Sequence, residues 1–155
     1  MTRVLKISRI VAALWGEKSG DGTAFFAALQ LEPTTPFTPV THTLPHGMPR
    51  LLLFDLSFAD YCPDAADVHD FDEADEAFSQ ALDSSLAVVA AWLNSRPPTL
   101  AANCQAQGIP LKMKFEITID SFLGHQSPYF ELELPPAFLL ACGQAGIPLV
   151  VFQEG

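Results

Sequence analysis

A chain of 155 residues, 49% of them apolar, has the material for one domain with one core, and no apolar run reaches the roughly 20 residues a membrane-crossing helix needs. The net charge is −10, from eight Lys and Arg against 18 Asp and Glu, which argues against nucleic acid because phosphate affinity comes from Lys and Arg. Cys62, Cys104 and Cys142 are an odd set at wide spacing, no disulfide framework, and fit a reducing compartment such as the cytoplasm.

The first element is a strand over Arg3 to Trp15. A signal peptide is the competing reading, but the apolar stretch after Arg9 runs only from Ile10 to Trp15, shorter than the about 7 to 15 residues of a signal core. Gly16 to Gly22 is a turn. It lacks the Gly-Lys-Ser/Thr ending of a phosphate loop and has Asp21 where a cation is wanted. Thr23 is expected to cap a short helix that turns Phe25, Phe26 and Leu29 inward. Leu31 to Pro49 contains five prolines, which makes it extended loop or edge strand. Leu51 to Phe54 is a continuous apolar run and predicts a strand buried on both faces.

An acidic loop, Ala59 to His69, leads into a long helix over Asp70 to Asn94. Phe71, Ala74, Phe78, Ala81, Leu82, Leu86, Val89 and Leu93 recur there at helical spacing. Between Arg50 and Arg96 there is no Lys or Arg, while ten acids occur and the rest of the chain balances at eight and eight. The whole charge excess therefore sits in this segment. Asp60, Asp64, Asp67, Asp70, Asp72, Glu73, Asp75 and Glu76 are the candidate partner-binding residues, and a basic protein is the partner they suit. They do not form an EF-hand, since a loop opening at Asp67 puts Phe71 at the fifth position and Asp72 at the sixth, where glycine is needed.

The strongest internal signal is a repeat. Residues 97–111, PPTLAANCQAQGIPL, match residues 135–149, PPAFLLACGQAGIPL, at an offset of 38 with seven of fifteen positions identical. Each copy reads as proline in the first helical turn, a short apolar helix, glycine just past its end, and Ile-Pro-Leu entering a strand. Cys104 and Cys142 occupy equivalent places and read as small apolar residues on buried faces. Lys112 to Asp120 alternates cleanly as a strand with one wet face. Tyr129 to Leu134 is expected to return beside it as a hairpin, with Leu149 to Phe152 as the final strand. The fold class expected is α+β, with a mixed, mostly antiparallel sheet, helices on one face and a repeated helix-Gly-strand unit.

Residues 25–34, FFAALQLEPT, follow a strand ending Leu14-Trp15-Gly16. This resembles the helix and Leu-x-Leu-Glu-Pro-Thr signature of the bacterial family called domain of unknown function 4279. The stretch from Phe130-Glu131-Leu132 to Gly146-Ile147-Pro148-Leu149 resembles its closing helix–glycine–strand. The sequence departs from that family in its Pro-rich stretch and its acidic loop. The family has no established catalytic residues. Some members are regarded as immunity proteins of toxin systems, so the resemblance implies a cytoplasmic inhibitor of a toxin-like protein.

No catalytic residue, metal site or cofactor is expected. His42 and His46 flank Pro45 in a non-helical stretch, two ligands that do not close a zinc site. His125 reads as a turn residue, no Gly-x-Ser-x-Gly elbow occurs, and Trp15 and Trp92 read as core. The alternative to a protein-binding domain is a small-ligand protein or enzyme with a pocket beside residues 34–46. A third reading is oligomerisation through an exposed sheet edge.

Overall fold

In the computed structural model, which describes residues 6–16, 22–31, 35–41, 48–61, 68–120 and 132–154, the elements follow one another as β1 (Lys6–Gly16), α1 (Thr23–Leu29), β2 (Thr38–Thr41), β3 (Pro49–Ser57), a short 3-10 turn (Phe58–Asp60), α2 (Val68–Asn94), α3 (Leu100–Ala106), β4 (Leu111–Asp120), α4 (Pro136–Ala145) and β5 (Leu149–Glu154). The strands lie in the order β2-β3-β1-β4-β5. β1 is antiparallel to β3 and β4, β2 is antiparallel to β3, and β4 and β5 are parallel. The fold is α+β, with a mixed, mostly antiparallel sheet. No helix among the described residues is long and apolar enough to cross a membrane.

The alternation of β4 separates the two faces of the sheet. Leu111, Met113, Phe115 and Ile117 are buried, and Lys112, Lys114, Glu116 and Thr118 are half-buried. Rows of paired residues carry the division across the sheet, because directly opposed residues share a face. Ala12 is opposite both Phe54 and Phe115, and Ile10 is opposite Leu56 and Ile117. These residues share one core with Phe25, Leu29, Leu86, Val89 and Phe138 of the helices. α4 sits over β4, with the Phe138 ring 5.6 Å from Phe115. α2 brings Phe78 to 6.0 Å from Phe58 at the end of β3, and α2 and α4 pack on each other.

β3 departs from the expectation of a strand buried on both faces. Leu51 and Leu53 are buried, whereas Leu52 and Phe54 are half-buried. The pairing shifts between Ala12 and Ala13, which face Phe54 and Leu52, so Leu53 is the extra residue of a bulge. The bulge resets the alternation. Leu51 and Phe54, three residues apart, both reach the core face although unbroken alternation would put them on opposite faces.

Three further expectations are corrected. Thr23 is the first helical residue of α1 and not its cap. Gly22 takes the cap position at φ 80°, a conformation glycine adopts without cost. The hairpin partner of β4 is absent from its described part, since Leu132 to Leu134 is irregular. β4 is flanked instead by β1 and, from Met113 to Thr118, by β5, which leaves no free edge there. Tyr129 to Glu131 lie outside the described residues. Trp15 is half-buried on the open face of the sheet rather than in the core, with Lys114 Nζ 4.8 Å and the Arg50 guanidinium 5.4 Å from its ring. Trp92 is buried as expected.

The two copies of the repeat end their helices alike. Gly108 and Gly146 have φ 76° and 72°. The Ile109 N–H donates to the Cys104 carbonyl at 2.8 Å and the Ile147 N–H to the Cys142 carbonyl at 2.9 Å, the six-to-one bond of a Schellman close. α1 ends differently, on Gln30 at φ 53°. Its last carbonyls are satisfied by Arg96 Nη1, which donates to Leu29 O at 3.1 Å and Gln30 O at 2.9 Å.

Candidate binding groove

The long helix α2 presents two adjacent stripes. Ala74, Phe78, Leu82, Leu86, Val89 and Leu93 go into the core. The neighbouring stripe, Asp75, Ser79, Asp83 and Ala87, advances in steps of four and so stays on one side of the helix. It forms one wall of a groove of about 1010 Å³. The opposite wall is the start of α4 and the segment entering it, with Leu132, Glu133, Pro135 and Ala137. Ile7 and Ile10 of β1, with Phe78, Leu82, Leu86 and Phe138, make the apolar floor.

Among the described residues, the charged ones of the lining are Asp75, Glu76, Asp83 and Glu133, with no Lys, Arg or His. Carboxylates around a low-dielectric floor concentrate a negative potential in the groove. The arrangement can accept a cationic group at the rim and an apolar group below it. Of the sequence-predicted site residues, Asp75 and Glu76 line the groove. Glu73 and Asp60 are exposed outside its lining. Asp70 and Asp72 belong to α2, but their side chains, like Asp64 and Asp67, lie outside the described residues. Asp83 and Glu133 were missing from the predicted set. The i, i+4 spacing of Asp75, Ser79 and Asp83 was the available signal for Asp83. Glu133 had none, because it joins the others only through the packing of α4 on α2.

The open face of the sheet carries a smaller hollow of about 120 Å³. Arg9 and Asp55 close over it as a bidentate pair, at 2.9 Å for Nε–Oδ1 and 2.6 Å for Nη2–Oδ2. The hydrogen bond from Arg9 holds the Asp55 carboxyl below its ordinary range, against a smaller opposing effect of burial.

Nothing in the described residues assembles a nucleophile. Cys104 and Cys142 are buried and free. Burial pushes the Cys142 thiol up to about 11 and raises Cys104, which disfavours the thiolate that would react. Among the described residues no group of His, Cys, Asp and Glu could hold a metal ion. His42, His46, His125 and the side chain of His69 lie outside them, and of residues 34–46 the described ones, 35–41, do not line the groove.

No family model, no curated protein and no solved structure matches the chain. The likeness to the domain of unknown function 4279 family therefore stands on its short motifs.

Proposed function

We propose that the chain is a non-catalytic protein-binding domain whose α2–α4 groove receives a basic, amphipathic segment of a protein partner. The observation that carries this reading is the composition of the groove, with an apolar floor and charged lining residues that are all acids. Desolvated apolar contact supplies affinity, and the acidic rim raises the association rate and excludes acidic competitors. A toxin-like basic protein is the partner class, and neutralising it as an immunity protein is the role that the family resemblance supports. Asp60 and Glu73, exposed outside the groove lining, add negative charge beyond it.

The test is capture of partners from the native cell at low salt with tagged wild type and with Asp75→Asn, Glu76→Gln, Asp83→Asn and Glu133→Gln combined. Wild type should retain a basic protein that elutes at high salt. The fourfold variant should lose it through an association rate at least about tenfold slower, an effect within the range of electrostatic steering. Equal retention by both proteins, or retention of an acidic partner, sinks the reading. A second variant, Ala87→Trp, obstructs the groove from an exposed position of its wall and should weaken retention at any salt.

A further inference from the structure

The two edges of the sheet are built differently. β2 is four residues long and carries Pro39, devices that keep an edge from pairing. β5, Leu149–Glu154, has six residues, no proline and no Lys or Arg, and its register with β4 is regular. No strand pairs its outer side among the described residues. Met113 is paired with Leu149, and its N–H donates to the Pro148 carbonyl at 2.9 Å. Alternate residues of a strand bond to the same neighbour. The N–H and C=O groups of Leu149, Val151 and Gln153 therefore point away from β4, to the open edge.

The side chains around that edge match it. Val151 is 44% exposed and Leu139 of α4 is 46% exposed. Ala137 lines the groove toward α2. Leu139 lies about 200° further round the helix, on the flank away from α2. Because α4 sits over β4, that flank is the β5 side. From Pro135 to Gln153 the chain contains no Asp, Glu, Lys, Arg or His.

We propose that the β5 edge pairs antiparallel with the β5 edge of a second copy across a two-fold axis, joining two sheets into one. Charge selects this occupant. Groups near a two-fold axis meet their own copies, so charge beside the axis would repel its copy, and the one charged residue of β5, Glu154, is at the end of the strand. Elsewhere two chains of net charge −10 repel. A different partner would be recognised by complementary charges, and this strip offers none. Val151 and Leu139 of both copies close over the paired strands.

The test is molar mass by light scattering and sedimentation over a range of concentrations. Wild type should approach twice the chain mass as concentration rises. Val151→Pro removes an N–H that points outward and leaves the β4 ladder its donors, so it should keep the wild-type far-UV circular dichroism and a single-chain mass. Val151→Lys keeps the N–H and brings two like charges together, and it should also stay single; it decides the matter if the proline variant fails to fold. Amide exchange at Val151 and Gln153 should slow with concentration in wild type, while Val150 and Phe152 stay protected throughout. A single-chain mass for wild type at every concentration, or doubling retained in both variants, overturns the proposal.

Discussion

The first helix–glycine–strand unit, residues 97–111, delivers its strand to the interior of the sheet, between β1 and β5, while the second, residues 135–149, delivers its strand to the rim. The capping glycines agree to within a few degrees and the six-to-one bonds to a tenth of an ångström. What differs lies beyond them. β4 alternates Lys112, Lys114 and Glu116 with Met113, Phe115 and Ile117, which suits a strand flanked on both edges with one half-wet face. β5 has Val150, Val151 and Phe152 in succession, and no alternation fixes which face it buries. The shared motif sets how a helix stops, and the strand that follows sets where it can go.

The largest expected effect tests that contrast at one row of the sheet. Phe115 is opposite Val151 in the β4–β5 register, yet Phe115 is 0% and Val151 44% exposed. Phe115→Ala should cost about 3–5 kcal/mol. Val151→Ala should stay within about 0.5 kcal/mol at dilute concentration. Urea unfolding of both variants measures this. Similar costs would mean that β5 is as integral to the core as β4.

A smaller effect is expected at the caps. Gly108→Ala and Gly146→Ala each force a side chain into the left-handed region, at about 1–2 kcal/mol. The added Cβ at Gly146 would lie 3.5 Å from the Ala101 Cβ, an ordinary contact, and the one at Gly108 would meet nothing within 4 Å. The two losses should therefore agree. A clearly larger loss at Gly146, again by urea unfolding, would show that the second unit leans on the first.

The effect smallest at neutral pH concerns the equivalent cysteines. Burial raises both thiols, Cys142 from 9.0 to about 11. A group whose folded-state value is raised stabilises the fold fully below its unfolded value and loses that contribution as pH rises. Stability should thus decline between pH 9 and about 11, and less steeply in Cys142→Ser. In a Cys62→Ser background, iodoacetamide should modify the folded protein slowly at pH 8 and rapidly once it is unfolded. Rapid modification of the folded protein at Cys142 would place that helix face in contact with solvent.

Much of the frame was legible in residue pattern. The helical spacing from Ala74 to Leu93 and the two-residue period of Lys112 to Thr118 name α2 and β4 and the faces they bury, because burial is periodic wherever one side is wet. The bulge at Leu53 was not legible, since an apolar run looks the same with or without a phase shift. The hairpin failed for a related reason. Residues 132–134 alternate like a strand, but both edges of β4 between Met113 and Thr118 are taken by β1 and β5, and no local pattern reports occupancy of an edge. Half of the groove could be read, as Asp75 and Glu76 fall in the acidic segment. Glu133 enters only through the tertiary packing of α4.

Arg96 has a consequence in time. Its guanidinium closes the end of α1 at Leu29 and Gln30, 67 and 66 residues earlier in the chain than Arg96 itself, and stacks at 5.3 Å from Trp92. Gln30, a non-glycine residue in a left-handed conformation, has no such donor while the chain is short. At synthesis rates of about 5–20 residues per second, α1 emerges several seconds before the side chain that finishes it. The first helix made therefore waits for the end of α2 before its own end is closed, so that α1 and α2 are completed almost together and ahead of α3 and α4.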